Sequence, residues 1–154
     1  AVEAALIAHR GTVYAIERDE ASINLLKANV DKWGSGNIRV MAGEAPGIFD
    51  NLEDPDSVFI GGSGGELTQI LQQVWSGIPL GGCVVVSAVT ETSQQLLRNF
   101  EQQLVAGQYR SEALQIAVSR RGELAGEPCF RPLLPVYLYR FEKTAARSEV
   151  IANV

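Results

Sequence analysis

TVYAIERDEASINLLKANVDKW, residues 12–33, decides the fold. Its opening, TVYAIER, is rich in β-branched and aromatic residues and reads as a buried strand. Asp19 then stands where a helix N-cap acceptor is wanted. Ile23, Leu26 and Val30 recur on one face of the helix EASINLLKANVDKW. Gly34 and Gly36 break that helix, and NIRVMAG (37–43) is the next strand. Strand, helix and strand in about thirty residues is the βαβ unit of a parallel sheet.

The same alternation runs outward in both directions. Residues 1–9, AVEAALIAH, have helical spacing up to Gly11. GEAPGIFDNLEDPD is a loop with one helical turn, closed by Pro55. SVFIG (57–61) is a third strand, and ELTQILQQVWSGI the helix after it, with an apolar stripe of Leu67, Ile70, Leu71, Val74 and Trp75. CVVVSAV (83–89) is the most hydrophobic strand. TETSQQLLRNFEQQLVAG is a helix capped by Thr90 and stopped by Gly107. Two strands without a helix between them, ALQIAVSRR (113–121) and PVYLYRFEK (135–143), predict an antiparallel pair at one edge; GELAGEPCFRPLL between them reads as loop. The tail TAARSEVIANV is weakly patterned. The expected fold is α/β: a doubly wound, mostly parallel sheet with an antiparallel C-terminal strand.

Composition narrows the function. The 154 residues are 46% hydrophobic and 20% charged, a globular balance, with a formal net charge of -5. That acidity argues against a general grip on nucleic acid or an anionic membrane. No apolar run reaches the roughly 18 residues of a spanning helix, and no signal peptide is visible. Cys83 and Cys129 have neither CxxC spacing nor a histidine cluster. They fit a reducing compartment, hence a cytoplasmic protein, and suggest neither a disulfide framework nor a metal site. The single histidine, His9, has no partner by spacing, and Trp33, Trp75 and the aromatic residues of PVYLYRF read as packing.

Ligands of such sheets bind beyond the carboxyl ends of the strands. Four places there carry chemistry. Glu17 ends the first strand, where a carboxylate can accept from both hydroxyls of a ribose, in a nicotinamide cofactor or in S-adenosylmethionine; it also reads as a solvent-facing start of the cap Glu17-Arg18-Asp19. Gly43-Glu44-Ala45-Pro46 follows the second strand. Glu44 suits a purine amino group and the Ala45 N–H a ring nitrogen, or the turn is an ordinary acidic loop. After Ile60, the run Gly61-Gly62-Ser63-Gly64-Gly65 has four glycines in five positions, which removes every Cβ that would hold a ligand away. It enters a helix N-terminus but matches neither GxGxxG nor the lysine-bearing phosphate loop. Ser87-Ala88-Val89-Thr90 is accounted for by the Thr90 cap. Arg120, Arg121 and Arg131 cluster around the last loop, either as solvated edge charge or as a patch for a polycarboxylate.

With these pieces placed, VYAIERDEASINLLKAN, GEAP, PDSVFIGGSGGELTQIL and GGCVVVSAVT together resemble a class I S-adenosylmethionine-dependent methyltransferase. More narrowly they resemble the carbon-15-methylating domain of the decarboxylating precorrin-6Y methyltransferases of cobalamin biosynthesis. The resemblance covers residues 1–143, leaving 144–154 as a tail, and FIGGSGG is its most specific motif. It implies methylation of a corrin precursor at carbon 15 with loss of carbon dioxide from an acetate side chain. By this resemblance S-adenosylmethionine is held by Glu17, Arg18, Gly43, Glu44, Ala45, Ile60 and Gly61. Gly62, Ser63, Gly64 and Gly65, with Arg120, Arg121 and Arg131, face the tetrapyrrole. Glu44 stands where this family leads one to expect aspartate. The resemblance also implies a homo-oligomer, a tetramer with the late hairpin as interface, and in fused members a preceding carbon-5-methylating domain. Rival readings are a nicotinamide-dependent oxidoreductase, which should show a GxGxxG before the Glu17 strand and a catalytic Lys, Tyr or His after a later strand, the latter not evident here, and a non-catalytic nucleotide-binding domain.

One expectation concerns the start. AVEAALIAH reads as the helix that follows the first, central strand and its glycine loop, and neither precedes it. Neighbouring strands lie about 4.8 Å apart, so a sheet without its central strand would have a gap about twice as wide. The expectation is therefore a domain of about 190 residues or more, with half of the cofactor site upstream of Ala1.

Overall fold

The structure is a computed structural model and describes residues 1–33 and 36–146. It comprises two compact units, Ala1–Leu52 and Glu53–Val154.

In the first unit the order is α1 (Val2–Ile7), β1 (Val13–Glu17), α2 (Glu20–Trp33) and β2 (Ile38–Ala42), then one 3-10 turn at Phe49–Asn51. β1 and β2 are parallel, in register from Val13 opposite Ile38 to Glu17 opposite Ala42. The small core is Ala5, Ala15 and Ile38, with Val2, Val13, Leu26, Val30 and Val40 against it. Asp19 caps α2 as expected: its Oδ2 accepts from the Ser22 N–H at 2.8 Å. α1 is shorter than the helical spacing suggested. It ends at Ile7, so His9 lies in the turn, its Nδ1 3.2 Å from the Ile7 carbonyl. The end of α1 is held from outside. Asn37 Nδ2 donates to the carbonyls of Ala5 and Ala8 at 3.1 and 2.9 Å, acceptors that a helix C-terminus leaves open, and to that of Gly11 in the following turn at 3.1 Å. Gly34, one of the two expected breakers of α2, lies outside the described residues.

The second unit holds β3 (Ser57–Ile60), α3 (Leu67–Gly77), β4 (Cys83–Ala88), α4 (Glu91–Gln103), β5 (Tyr109–Ile116), β6 (Ser119–Leu124), β7 (Glu127–Pro132) and β8 (Val136–Lys143). Its main sheet has the order β3-β4-β8-β5. β3 and β4 are parallel, while β8 is antiparallel to both β4 and β5. Alternating burial along β4 puts Val84, Val86 and Ala88 inward, with Val84 opposite Phe141 of β8; Leu71 of α3 and Leu97 of α4 are fully buried as well. A chain of edge-to-face rings, Trp75–Phe100 at 5.9 Å and Phe100–Phe141 at 5.3 Å, ties α3, α4 and β8 together. Thr90 caps α4, accepting from the Ser93 N–H at 3.2 Å. The helix stops at Gln103, four residues before Gly107, because Leu104 is already extended.

The C-terminal third departs from the sequence pattern. The single expected strand 113–121 is two strands: β5 starts earlier, at Tyr109, and β6 starts at Ser119. GELAGEPCFRPLL is not loop but the greater part of a β6–β7 hairpin, with Leu124 opposite Glu127. Ala125 (φ 53°) and Gly126 (φ 84°) form its two-residue turn. Two successive left-handed residues suit the right-handed twist of the flanking strands. Arg147–Val154, most of the predicted tail, lie outside the described residues.

Candidate functional site

In the first unit, parallel register brings the ends of β1 and β2 side by side. The Gly43 N–H donates to the Glu17 carbonyl at 3.0 Å, which fixes the two exits together. Glu17, half-buried, turns Oε1 back onto its own chain and accepts from the N–H groups of Arg18 and Asp19 at 2.8 and 2.9 Å. Its Oε2 has no such partner role in this turn. Arg18 reaches across to β2's exit and its Nη1 pairs with Glu44 Oε1; both side chains are more than half exposed. Ala45 and Pro46, joined by a cis peptide, continue into a turn closed by Ile48 N–H on the Glu44 carbonyl. Of the five residues expected here, Glu17, Arg18, Gly43 and Glu44 come together and Ala45 follows directly.

A carboxylate has about four acceptor positions. Two on Glu17 are filled by backbone and, among the described residues, two are left, the number a ribose diol requires. These acceptors therefore fit the hydroxyls of an adenosine-bearing cofactor. Asp19 is committed elsewhere: the Ser22 backbone N–H, then the Ser22 hydroxyl, hold its carboxyl below the ordinary aspartate range.

In the second unit, β3 ends in the core and the glycine run begins at the surface. The Ile60 side chain is buried, so it offers a ligand only backbone atoms, whereas Gly61 and Gly62 are exposed. The glycines divide by role. Gly64 (φ 58°) and Gly65 (φ 102°) have left-handed backbones that the loop itself requires. Gly62 has no such φ, and a Cβ there would meet nothing within 4 Å. Its lack of a side chain is thus not required by the fold. The Ser63 carbonyl accepts from the Glu66 N–H at 2.8 Å, and α3 opens without a side-chain cap. Ser87, at the end of β4, donates from Oγ to the Gly61 carbonyl at 3.3 Å and lies 3.5 Å from that of Ile60. This anchoring of the glycine run went unseen in the sequence, where Thr90 accounted for the segment; a hydroxyl two residues from the end of an apolar strand was the only signal.

The three arginines are separated by strand alternation. Arg120 lies directly opposite Arg131 across the hairpin, on one face, while Arg121 is opposite Phe130 on the other. Arg131 packs over Gly122 and its Nη2 donates to the Glu123 carbonyl. Two like charges in a cross-strand pair repel, so this face is suited to an anion. Among the described residues no three His, Cys, Asp or Glu come together as metal ligands, and no helix is long and apolar enough to cross a membrane.

Comparison with known proteins identifies the family and the fold. Residues 1–143 match the family model described as a precorrin methyltransferase domain. A Pyrobaculum aerophilum protein named "Probable cobalt-precorrin-6B C(15)-methyltransferase (decarboxylating)" is 34% identical over 139 residues, 89% of this chain and 69% of its own length. The Salmonella typhi protein named cobalt-precorrin-6B C(15)-methyltransferase (decarboxylating) is 33% identical, over 92% of this chain and 72% of its own. The crystal structure of a precorrin-6y C5,15-methyltransferase from Geobacter metallireducens superposes with a TM-score of 0.79 at 30% identity, covering 92% of this chain and 74% of that one. The fold is the Rossmann-like α/β architecture of class I methyltransferases, and the chain belongs to the precorrin methyltransferase family.

Proposed function

We propose that this chain methylates carbon 15 of a cobalt-precorrin-type corrin precursor, with decarboxylation of an acetate side chain, in cobalamin biosynthesis. The observation that carries this reading is the family match over 143 of 154 residues, to relatives named for that reaction. It favours a methyltransferase over the nicotinamide-dependent and non-catalytic readings.

S-adenosylmethionine, when bound, supplies an electrophilic methyl group on its sulfonium. The protein's share is positioning. Glu17 holds the ribose through the two acceptor positions its backbone contacts leave open. Glu44 and the Ala45 N–H take the adenine. Gly61 and Gly62, bare of side chains at the end of β3, let a flat macrocycle approach closely. Gly64 and Gly65 shape the loop, Ser63 closes it onto α3, and Ser87 pins its start. Arg120 and Arg131 bind peripheral carboxylates as a pair, and Arg121, on the opposite hairpin face, stands apart from them.

The opposite face also suggests how the chain assembles. The β6–β7 hairpin is a two-stranded sheet of its own, and such hairpins are marginal alone in water. Phe130, on that face opposite Arg121, is 72% exposed. Covering it with the hairpins of other copies gives the homo-oligomer, a tetramer, that the family resemblance implies. The free thiols Cys83 and Cys129 accord with a cytoplasmic setting.

The test is isothermal calorimetry with S-adenosylmethionine, followed by methyl transfer to the corrin precursor with carbon dioxide release measured in parallel. Stoichiometric binding and equimolar carbon dioxide are expected. Failure of the full-length protein to bind S-adenosylmethionine would refute the reading. Methylation without carbon dioxide release would leave a simple methyltransferase in its place.

A further inference from the structure

We infer that Arg18 is a positioning residue for the adenosine end of the cofactor, acting through Glu44 rather than by touching the ligand. The inference rests on the cofactor reading above. Three carboxylates gather at the exits of β1 and β2, and each has an internal partner. Asp19 serves the Ser22 N–H, and Glu17 Oε1 serves the N–H groups of Arg18 and Asp19. Glu44 has no backbone donor of that kind; it is answered by the Arg18 guanidinium.

The geometry makes this pairing local. Glu17 lies opposite Ala42, so the next residues out, Arg18 and Gly43–Glu44, leave the sheet as neighbours. The bond from Gly43 N–H to the Glu17 carbonyl prevents the two exits from sliding apart. Arg18 engages Glu44 through Oε1, so Oε2 is the oxygen left to accept from a ligand. A free glutamate loses the freedom of three rotatable bonds when it binds. Arg18 restrains Glu44 beforehand and removes part of that loss, which is preorganisation of a single acceptor. It also lowers the local negative charge beside Glu17, so neither carboxylate is driven away by the other.

The pair is exposed, which bounds the effect: about two- to fivefold in affinity, screened by salt. The experiment is calorimetric binding of S-adenosylmethionine, S-adenosylhomocysteine and adenosine to the full-length protein, compared with Arg18→Gln, Arg18→Lys, Glu44→Gln and the double variant Arg18→Gln/Glu44→Gln. Arg18→Gln is expected to weaken all three probes by the same factor while leaving the melting temperature unchanged. Arg18→Lys restores part of the loss, since it keeps the charge without the planar fork. The double variant binds no more weakly than Glu44→Gln alone, because Arg18 has nothing left to position. The difference between wild type and Arg18→Gln shrinks as salt is raised from about 0.1 M to about 1 M.

Additive losses in the double variant would mean that Arg18 contacts the ligand directly and would overturn the inference. So would an unaltered affinity in Arg18→Gln, or a loss seen with S-adenosylmethionine and absent with adenosine. Absence of binding of all three probes to the wild type would overturn the cofactor reading together with this one.

Discussion

Replacing Glu17 separates the turn contacts of its carboxylate from the ribose contact proposed for it. Oε1 accepts from the N–H groups of Arg18 and Asp19 at 2.8 and 2.9 Å, and Oε2 is the oxygen left for a ribose. In Glu17→Gln an amide oxygen can keep both backbone bonds, but its other end donates and carries no charge. In Glu17→Ala both sets of contacts go. Two charge-assisted hydrogen bonds to a ribose are worth about 1.5–3 kcal/mol each. The residue is half-buried and some water competes, so a total of about 2–4 kcal/mol is a reasonable figure. That corresponds to a loss of about 30- to 700-fold in the Kd for S-adenosylmethionine. The expected order of affinity, read by calorimetry, is wild type, then Glu17→Gln, then Glu17→Ala. The expected order of melting temperature differs: wild type and Glu17→Gln together, with Glu17→Ala below them. If Glu17→Ala lowered the melting temperature and left Kd untouched, the carboxylate would be a turn cap and nothing more.

Other perturbations test neighbouring parts of the structure. Gly62→Val should keep the wild-type melting temperature, since its Cβ meets nothing within 4 Å, yet abolish methyl transfer to the corrin precursor; normal turnover would refute the close-approach role. Gly65→Val puts a β-branched side chain at φ 102° and should lower stability by about 1–3 kcal/mol, measured by denaturant unfolding. Asn37→Ala removes the donor to Ala5, Ala8 and Gly11. With two hydrogens on Nδ2 the loss should be about 1–2 kcal/mol, and an unchanged unfolding midpoint would show that α1 holds its end unaided. For Asp19, hydrogen bonds from Ser22 depress the folded pKa. Its stabilising effect is therefore complete above its unfolded pKa of about 3.9 and disappears as pH falls through the lower folded value. Asp19→Asn should flatten that part of the acid unfolding curve, and curves of identical shape would remove Asp19 from the account.

The βαβ unit was legible in the sequence because each signal was local. Asp19 lies three residues before Ser22, whose N–H it binds, and Ile23, Leu26 and Val30 repeat on the α2 face. Thr90 likewise declared the start of α4. The β6–β7 hairpin was hidden for two reasons. Its strands, SRRGEL and EPCFRP, lack the β-branched residues and clean alternation that mark a half-buried strand, since both faces are largely exposed. Its turn is Ala125-Gly126, where Ala125 adopts a left-handed backbone that its residue type rarely signals. The split of 113–121 at Ala117–Val118 is a tertiary event, because β5 ends where its register with β8 runs out at Ile116 opposite Val136. At the candidate site, Glu17 and the glycine run were visible as residue types in position. The Arg18–Glu44 pair was not, because it spans 26 residues and exists only once β1 and β2 are in register.

The strands also explain how the site can change chemistry without loss of the fold. Each passes from core to surface within one to three residues. Ala15 is buried and Arg18 exposed, Ile60 is buried and Gly61 exposed, Ala88 is buried and Thr90 exposed. The inner positions contribute packing in proportion to the apolar area they remove from water. The outer ones contribute almost none, so the fold leaves their side chains free to serve a ligand. Glu44 and Gly62 are both of this outer kind: the first pairs only with another exposed side chain, and the second has space for a Cβ that the fold would accept. Stability and ligand recognition therefore respond to different residues of the same strand, and substitutions at the exits should shift Kd and turnover while leaving the unfolding midpoint in place. Gly64, Gly65 and Ser87 are the exceptions. Their backbone conformations and hydrogen bonds shape the loop itself, as the Oε1 contacts of Glu17 shape the exit of β1, so at these positions the two properties should fall together.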